Sequence, residues 1–177
     1  SAICNHAGRY YELRSNPAAK VRNMGSEEHR EMLFWTKEEY LKFADVMMES
    51  PMFFVIFEIL YWTGIREGEL LALTPDSFDW SRSTMRIDKS YQRLGGRDVI
   101  TDPKTPKSIR TVKLPHFLAE TIRDYLSKHP KIGPDARMFP MSKSHLSRVM
   151  QRRSEKACAK RIRTPALRHS HLSLPIN

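Results

Sequence analysis

Cysteine is nearly absent from this sequence. The two that occur, Cys4 and Cys158, stand far apart in no ligand-like spacing, which excludes a disulfide framework, gives no sign of a zinc site and fits a reducing cytoplasm. Long apolar runs are missing too. The most apolar stretch, Met52 to Trp62, is interrupted by Glu58 and falls well short of the roughly 20 residues needed to cross a bilayer. It reads as a buried core helix, and no signal peptide is read ahead of it. Acidic residues are the minority: 20 Asp and Glu face 30 Lys and Arg, for a net charge of +10. Such a balance favours polyanionic partners, nucleic acid ahead of an anionic membrane surface. No carboxylate cluster suggests a divalent-cation site, and neither a metal, another cofactor nor a small-molecule substrate is expected.

What is present is ordinary globular material. Hydrophobic residues make up 40% and aromatics 10% of 177 residues, enough for one domain with its own core and a fragment of a second. The first stretch carries a short helical pattern (Ile3, His6, Ala7, Tyr10, Tyr11) that stops at Asn16-Pro17. A polar linker, GSEEHRE, follows, so residues 1–28 read as the end of one domain plus linker and residues 29–177 as the main domain. Thr36 is placed to cap a helix, with Glu39 completing a capping box, and Tyr40, Phe43, Ala44, Val46 and Met47 recur at helical spacing.

After Leu73 the period shortens to two. Thr84 to Ser90 alternates around Met85 and Ile87, Gly95-Gly96 offers a hairpin turn to a return strand at Val99-Ile100, and Ile109 to Leu114 places Val112 and Leu114 on one face. Helical spacing resumes over Phe117–Leu126 and Leu146–Ala159. The expectation is an α+β fold, mainly helical, with a small three-stranded antiparallel sheet.

Charge is concentrated near the end. From Lys143 to His171 there are nine Lys or Arg and one acid, Glu155. Basic helices are often just solvated faces. The functional alternative is a phosphate-contacting face carrying Arg148, Arg152, Arg153, Lys156, Arg161 and Arg163.

Three strings carry the chemistry. In Thr63–Leu73, TGIREGELLAL, Gly64 breaks the helix, Arg66 falls at the turn, and Leu70, Leu71 and Leu73 start a new buried helix. A lone arginine there is more often a surface cation paired with Glu67 or Glu69. The second string, Asp102–Pro115, DPKTPKSIRTVKLP, sets Lys104 and Lys107 in a turn. The third, Leu167–Ser173, is LRHSHLS, where His169 and His171 read as ordinary surface or core histidines.

In this order the strings resemble the catalytic domain of the tyrosine recombinases, the phage and transposon integrases. The resemblance spans about Glu31 to Ser173, with the preceding segment similar to the end of that family's core-binding domain. It implies site-specific cutting and re-joining of double-stranded DNA through a phosphotyrosine, without metal or other cofactor, by copies that assemble on DNA. Arg66 and Arg168 are the implied phosphate clamps, Glu69 their support, and Lys104 the general acid, with Lys107 its nearest rival and otherwise a DNA contact. An arginine suits the clamp because its planar fork donates two hydrogen bonds and stays charged; a lysine suits the acid if neighbouring cations lower its pKa.

Two departures stand out. The family's histidine three residues before the second arginine is Pro165 here, and all six tyrosines precede Arg168, none in a nucleophile-like context. The chain is therefore expected to be a fragment or a degraded integrase, inactive alone, with a non-catalytic DNA-binding remnant as the alternative. A basic module for RNA or an acidic protein leaves the three strings unexplained, and a type IB topoisomerase shares the chemistry but not these strings. Target sequence, the direction of recombination and oligomeric state are not legible.

Overall fold

In a computed structural model that describes residues 35–102, 108–162 and 164–167, with His6 and Arg9–Tyr11 ahead of them, the first long helix begins where its sequence dictates. Thr36 accepts from the Glu39 N–H at 3.2 Å while the Glu39 carboxylate accepts from the Thr36 N–H at 2.9 Å, closing the capping box that starts α1 (Lys37–Met47). Its buried face is Tyr40, Phe43, Ala44 and Met47. The chain divides into two units, Ser1–Glu31 and Met32–Asn177; in the first, His6, Arg9 and Tyr10 are helical and exposed.

Helix α2 (Pro51–Thr63) is the axis of the second unit. Residues Val55 through Tyr61 are all buried, the all-round pattern of a helix enclosed by its neighbours, and α1 and α4 (His116–Ser127) pack on it. Glu58 is buried among these apolar neighbours. Its carboxylate accepts from the Tyr40 hydroxyl at 2.6 Å and from the Trp62 indole N–H at 3.1 Å, and the Tyr40 and Tyr61 rings stack 3.5 Å apart. Trp35, also buried, donates its indole N–H to the Lys160 carbonyl at 2.7 Å, fastening the start of α1 to the loop after α5 (Lys143–Lys156).

Between α2 and α4 lie a one-turn helix, α3 (Glu67–Leu70), and five strands: β1 (Phe78–Asp79), β2 (Thr84–Ile87), β3 (Ser90–Leu94), β4 (Arg97–Thr101) and β5 (Arg110–Lys113). The α+β class is as the sequence implies, but the strands are partitioned differently. The three-stranded antiparallel sheet is β1-β2-β5, and the hairpin turning at Gly95-Gly96 forms a separate pair, β3-β4. Strand β1 is too short for a period to show in sequence. In register, Met85 faces Phe78 on one side and Val112 on the other, and Met85 and Ile87 turn into the core.

The hairpin is held by a polar cluster. The Tyr91 hydroxyl and the Arg137 guanidinium both donate to Asp98, at 2.9 Å each, and the Arg137 guanidinium carbon lies 4.5 Å over the Tyr91 ring. Strand β3 also packs against α3. Among the described residues, no helix is long and apolar enough to cross a membrane.

Burial raises the pKa of Glu58 above 4.5, outweighing the two hydrogen bonds that lower it. Its contribution to stability is therefore full below that value and declines as pH rises through the raised one. Tyr40→Phe removes one of the two donors to the carboxylate and should cost about 1–3 kcal/mol at neutral pH. Urea unfolding followed at neutral and at mildly acidic pH checks this, with a smaller cost expected in acid, where the carboxyl is protonated.

Candidate active site

The site is built on the break after α2. Gly64 adopts the left-handed conformation, φ 59°, and its N–H returns to the Leu60 carbonyl at 3.1 Å, a glycine C-cap that stops the helix. Ile65 is buried behind the turn, so Arg66 is displayed from a fixed corner immediately ahead of α3. Its side chain is 63% exposed, whereas that of Glu69 is 8% exposed.

Glu69 organises the corner. Its Oε2 accepts from the Arg66 backbone N–H at 2.9 Å, and its Oε1 from Arg66 Nη1 at 3.0 Å. The other partner is Arg110 at the start of β5, whose Nη1 reaches Oε1 at 3.1 Å and whose Nη2 reaches Oε2 at 2.7 Å, a bidentate fork. Burial pushes the Glu69 carboxyl up, but the donors, Arg110 first, together bring its pKa below the ordinary value of 4.5. It stands as a carboxylate neutralised by two arginines.

Beside it opens a cleft of about 300 Å³ lined by Arg66, Glu69, Ile87, Lys89, Ser90, Gln92, Thr101, Asp102 and Ser108. Lys104 and Lys107 lie outside the described residues, but the residues that bracket their segment, Asp102 and Ser108, both line the cleft that Arg66 lines. Arg168 and Arg163 also lie outside the described residues. Thr164–Ala166 form a single 3-10 turn, with Thr164 and Leu167 buried.

The closeness of α3 to the hairpin depends on Gly68. A Cβ there would stand 2.8 Å from Ser90 Oγ, 3.0 Å from the Tyr91 carbonyl and 3.1 Å from Lys143 Nζ, so a larger residue would move the Ser90 and Lys143 side chains and press on the backbone of β3. Sequence reasoning missed Lys143 as a residue against the site, and also Lys89 and Arg110. The signal for Arg110 is its strand period, which puts it on the same face as Val112, toward the interior. Its acidic partner lies 41 positions earlier, beyond the reach of local patterns.

The basic helix α5 divides its charges. Arg153 and Lys156 both engage Glu49 at 2.5 Å, and Lys160 pairs with Glu39 at 3.4 Å. Arg148, Arg152 and Arg161 are exposed and make no ion pair among the described residues. No group of three or more His, Cys, Asp or Glu among the described residues is arranged to hold a metal ion.

The fold is that of a tyrosine recombinase catalytic domain. It is similar to the Tn1549 transposon integrase solved in complex with transposon right end DNA, with a TM-score of 0.75 at 17% identity over 90% of this chain and 58% of that one. It is also similar to a lambda integrase dimer bound to a COC′ core site, with a TM-score of 0.56 at 18% identity over 94% of this chain and 60% of that one. The chain belongs to the phage integrase family, which matches residues 24–174. A curated relative, the ICEBs1 integrase of Bacillus subtilis (strain 168), is 28% identical over 93% of this chain and 48% of its own length. The chain spans about half the length of the curated relatives that it matches over most of its extent.

Because the folded-state pKa of Glu69 is lowered, its contribution to stability is full above the ordinary value of 4.5 and is lost as pH falls through the lowered value. Glu69→Gln should remove that part of the acid dependence. Denaturant midpoints measured at stepwise lower pH should converge for the two proteins, and parallel curves would show that Glu69 does not titrate in this way.

Proposed function

We propose that this chain contributes the phosphate-clamping part of an integrase active site, which cuts and re-joins double-stranded DNA through a 3′-phosphotyrosine. The observation that carries the reading is the corner at Arg66: a guanidinium exposed at the rim of a cleft, on a base fixed by a buried carboxylate. Such a group stabilises negative charge on a pentacoordinate phosphate because it needs no reorganisation when that charge develops. Arg168 is the second clamp and Lys104 the acid that protonates the departing 5′ oxygen, both by family resemblance; Asp102 and Ser108 at the cleft support a place for Lys104 or Lys107 beside Arg66. The tyrosine attacks phosphorus and expels the 5′ oxygen, and the phosphotyrosine keeps the bond energy for re-joining. Copies assemble on the DNA, as the lambda integrase dimer on its core site does. Residues 1–28 are the end of a core-binding domain and linker, residues 29–177 belong to the catalytic domain, and the protein works in the cytoplasm.

Pro165 favours a second reading. It occupies the place of the family's proton-handling histidine, so on this reading the chain holds duplex DNA without cutting it, and the two readings differ in what a histidine restores. In a form extended through a tyrosine nucleophile and carrying Pro165→His, Arg66→Ala and Arg168→Ala should each lower cleavage by roughly 100-fold or more, with far smaller changes in binding. Lys104→Ala should be rescued by a 5′-thio leaving group, which departs without a proton. Rescue of Lys107→Ala instead would move the acid to Lys107, and cleavage indifferent to both arginines would remove the active-site reading. Equal cleavage by the Pro165 form would remove the binding-only reading.

The division of charge on α5 makes a separate expectation about binding. Arg148→Ala with Arg152→Ala should reduce the log–log salt slope of duplex binding by about 0.9 per lost phosphate contact. Arg153→Ala with Lys156→Ala should reduce the slope by less, because Glu49 pairs with both cations and offsets one of their charges. Fluorescence anisotropy titrations across a salt series measure both slopes, and equal losses would show that the Glu49 pairs open on DNA.

A further inference from the structure

We propose that Arg110 is a positioning residue for Arg66: by covering both oxygens of Glu69 it neutralises that carboxylate and leaves the Arg66 guanidinium available to a DNA phosphate. The inference rests on the reading that Arg66 contacts phosphate, and it adds a residue to which neither the sequence motifs nor that reading gives a role.

The argument is one of charge and geometry. Glu69 carries one negative charge and is 8% exposed, between Arg66 at 63% and Arg110 at 33%. Two guanidiniums on one carboxylate leave one positive charge in surplus, and exposure assigns that surplus to Arg66. The bonding pattern agrees. Arg110 presents two nitrogens to two oxygens, at 3.1 and 2.7 Å, while Arg66 gives Glu69 one side-chain nitrogen at 3.0 Å, so among the described residues the rest of its fork has no partner and can take a second anion. With Arg110 gone, the buried carboxylate would have Arg66 as its one remaining guanidinium partner. A buried charge does not stay uncompensated, so the Arg66 fork would turn inward onto Glu69 and leave the cleft.

Arg110 also spans the cleft wall. Its Nη1 donates to the Ser108 carbonyl at 3.4 Å, and its backbone pairs with Ile87 of β2; Ser108 and Ile87 both line the cleft. One side chain therefore ties the acid beneath Arg66 to the strand edge where the lysine-bearing segment ends.

The test measures the contribution of Arg66 to duplex DNA binding in different backgrounds, using this chain and a short duplex oligonucleotide across a salt series. Arg66→Ala should lower the log–log slope by about 0.9 in the wild-type background, by less than half as much in Arg110→Met, and again by about 0.9 in Arg110→Met with Glu69→Gln, where no buried charge remains to capture Arg66. Thermal melting of each variant confirms folding. If Arg110→Met does not fold, Arg110→Lys replaces it, since a lysine keeps the charge but cannot cover both oxygens; the Arg66→Ala effect should then fall below its wild-type size. An undiminished Arg66→Ala effect in the Arg110 variants makes Arg110 a fold staple and overturns the proposal while the phosphate reading stands. A diminished effect that Glu69→Gln fails to restore also overturns it, because Arg110 would then act as a phosphate contact itself. No effect of Arg66→Ala in the wild-type background sinks the proposal and the reading beneath it together.

Discussion

The Glu69 carboxylate accepts four hydrogen bonds, from one backbone N–H and two guanidiniums, and the architecture around the cleft depends on them. A buried carboxylate must be matched by donors or give up its charge, and the donors here come from two distant parts of the chain, the turn after α2 and the first residue of β5. Helix α3 is one turn long, too short to be stable by its own backbone bonds. It persists because Glu69 ties it to Arg66 and Arg110 and because Gly68 lets it lie flush against β3 and Lys143. The same four bonds that settle a folding problem thus hold the Arg66 corner in place.

Features with local causes were legible in the sequence. The capping box at Thr36, the enclosed helix around Val55 to Tyr61 and the glycine stop at Gly64 each follow from residues within a turn or two of one another, and each is found where its pattern puts it. The strands were legible as strands but not as sheets. Alternation reveals which residues turn inward, not which strand they pair with, so nothing near Gly95-Gly96 distinguishes a hairpin inside the main sheet from the separate β3-β4 pair. Strand β1, with two residues, offers no period at all. The pairing of Arg66 with Glu69 was legible from their spacing, and that of Arg110 was not, because its partner lies 41 residues away.

Charge was the least legible property in detail. The count from Lys143 to His171 treats every cation as equal, yet Glu49, which belongs to the α1–α2 connection, takes Arg153 and Lys156, and Glu39 takes Lys160. Contacts of this kind are long-range in sequence and invisible to a local tally. What remains open on the described part of α5 and its following loop is Arg148 and Arg152, one helical turn apart on the same face, together with Arg161. An open row beside a flank that Glu49 and Glu39 partly neutralise gives a directional surface, which a uniformly basic helix would not.

The turn that follows that loop shows why chemistry at one position can vary while the fold does not. Leu167 is fully buried, Ile162 nearly so, and Thr164 lies within 3.4 Å of the Ser147 hydroxyl on α5. Thr164 meets α5 and Ile162 and Leu167 are buried on either side of position 165, so the local path of the chain is set by its neighbours. A proline fits there because its fixed φ suits the first turn of a helical segment and its missing N–H has no intrahelical partner to lose. An imidazole at the same position would therefore meet a backbone whose course is already set by its buried neighbours Ile162, Thr164 and Leu167.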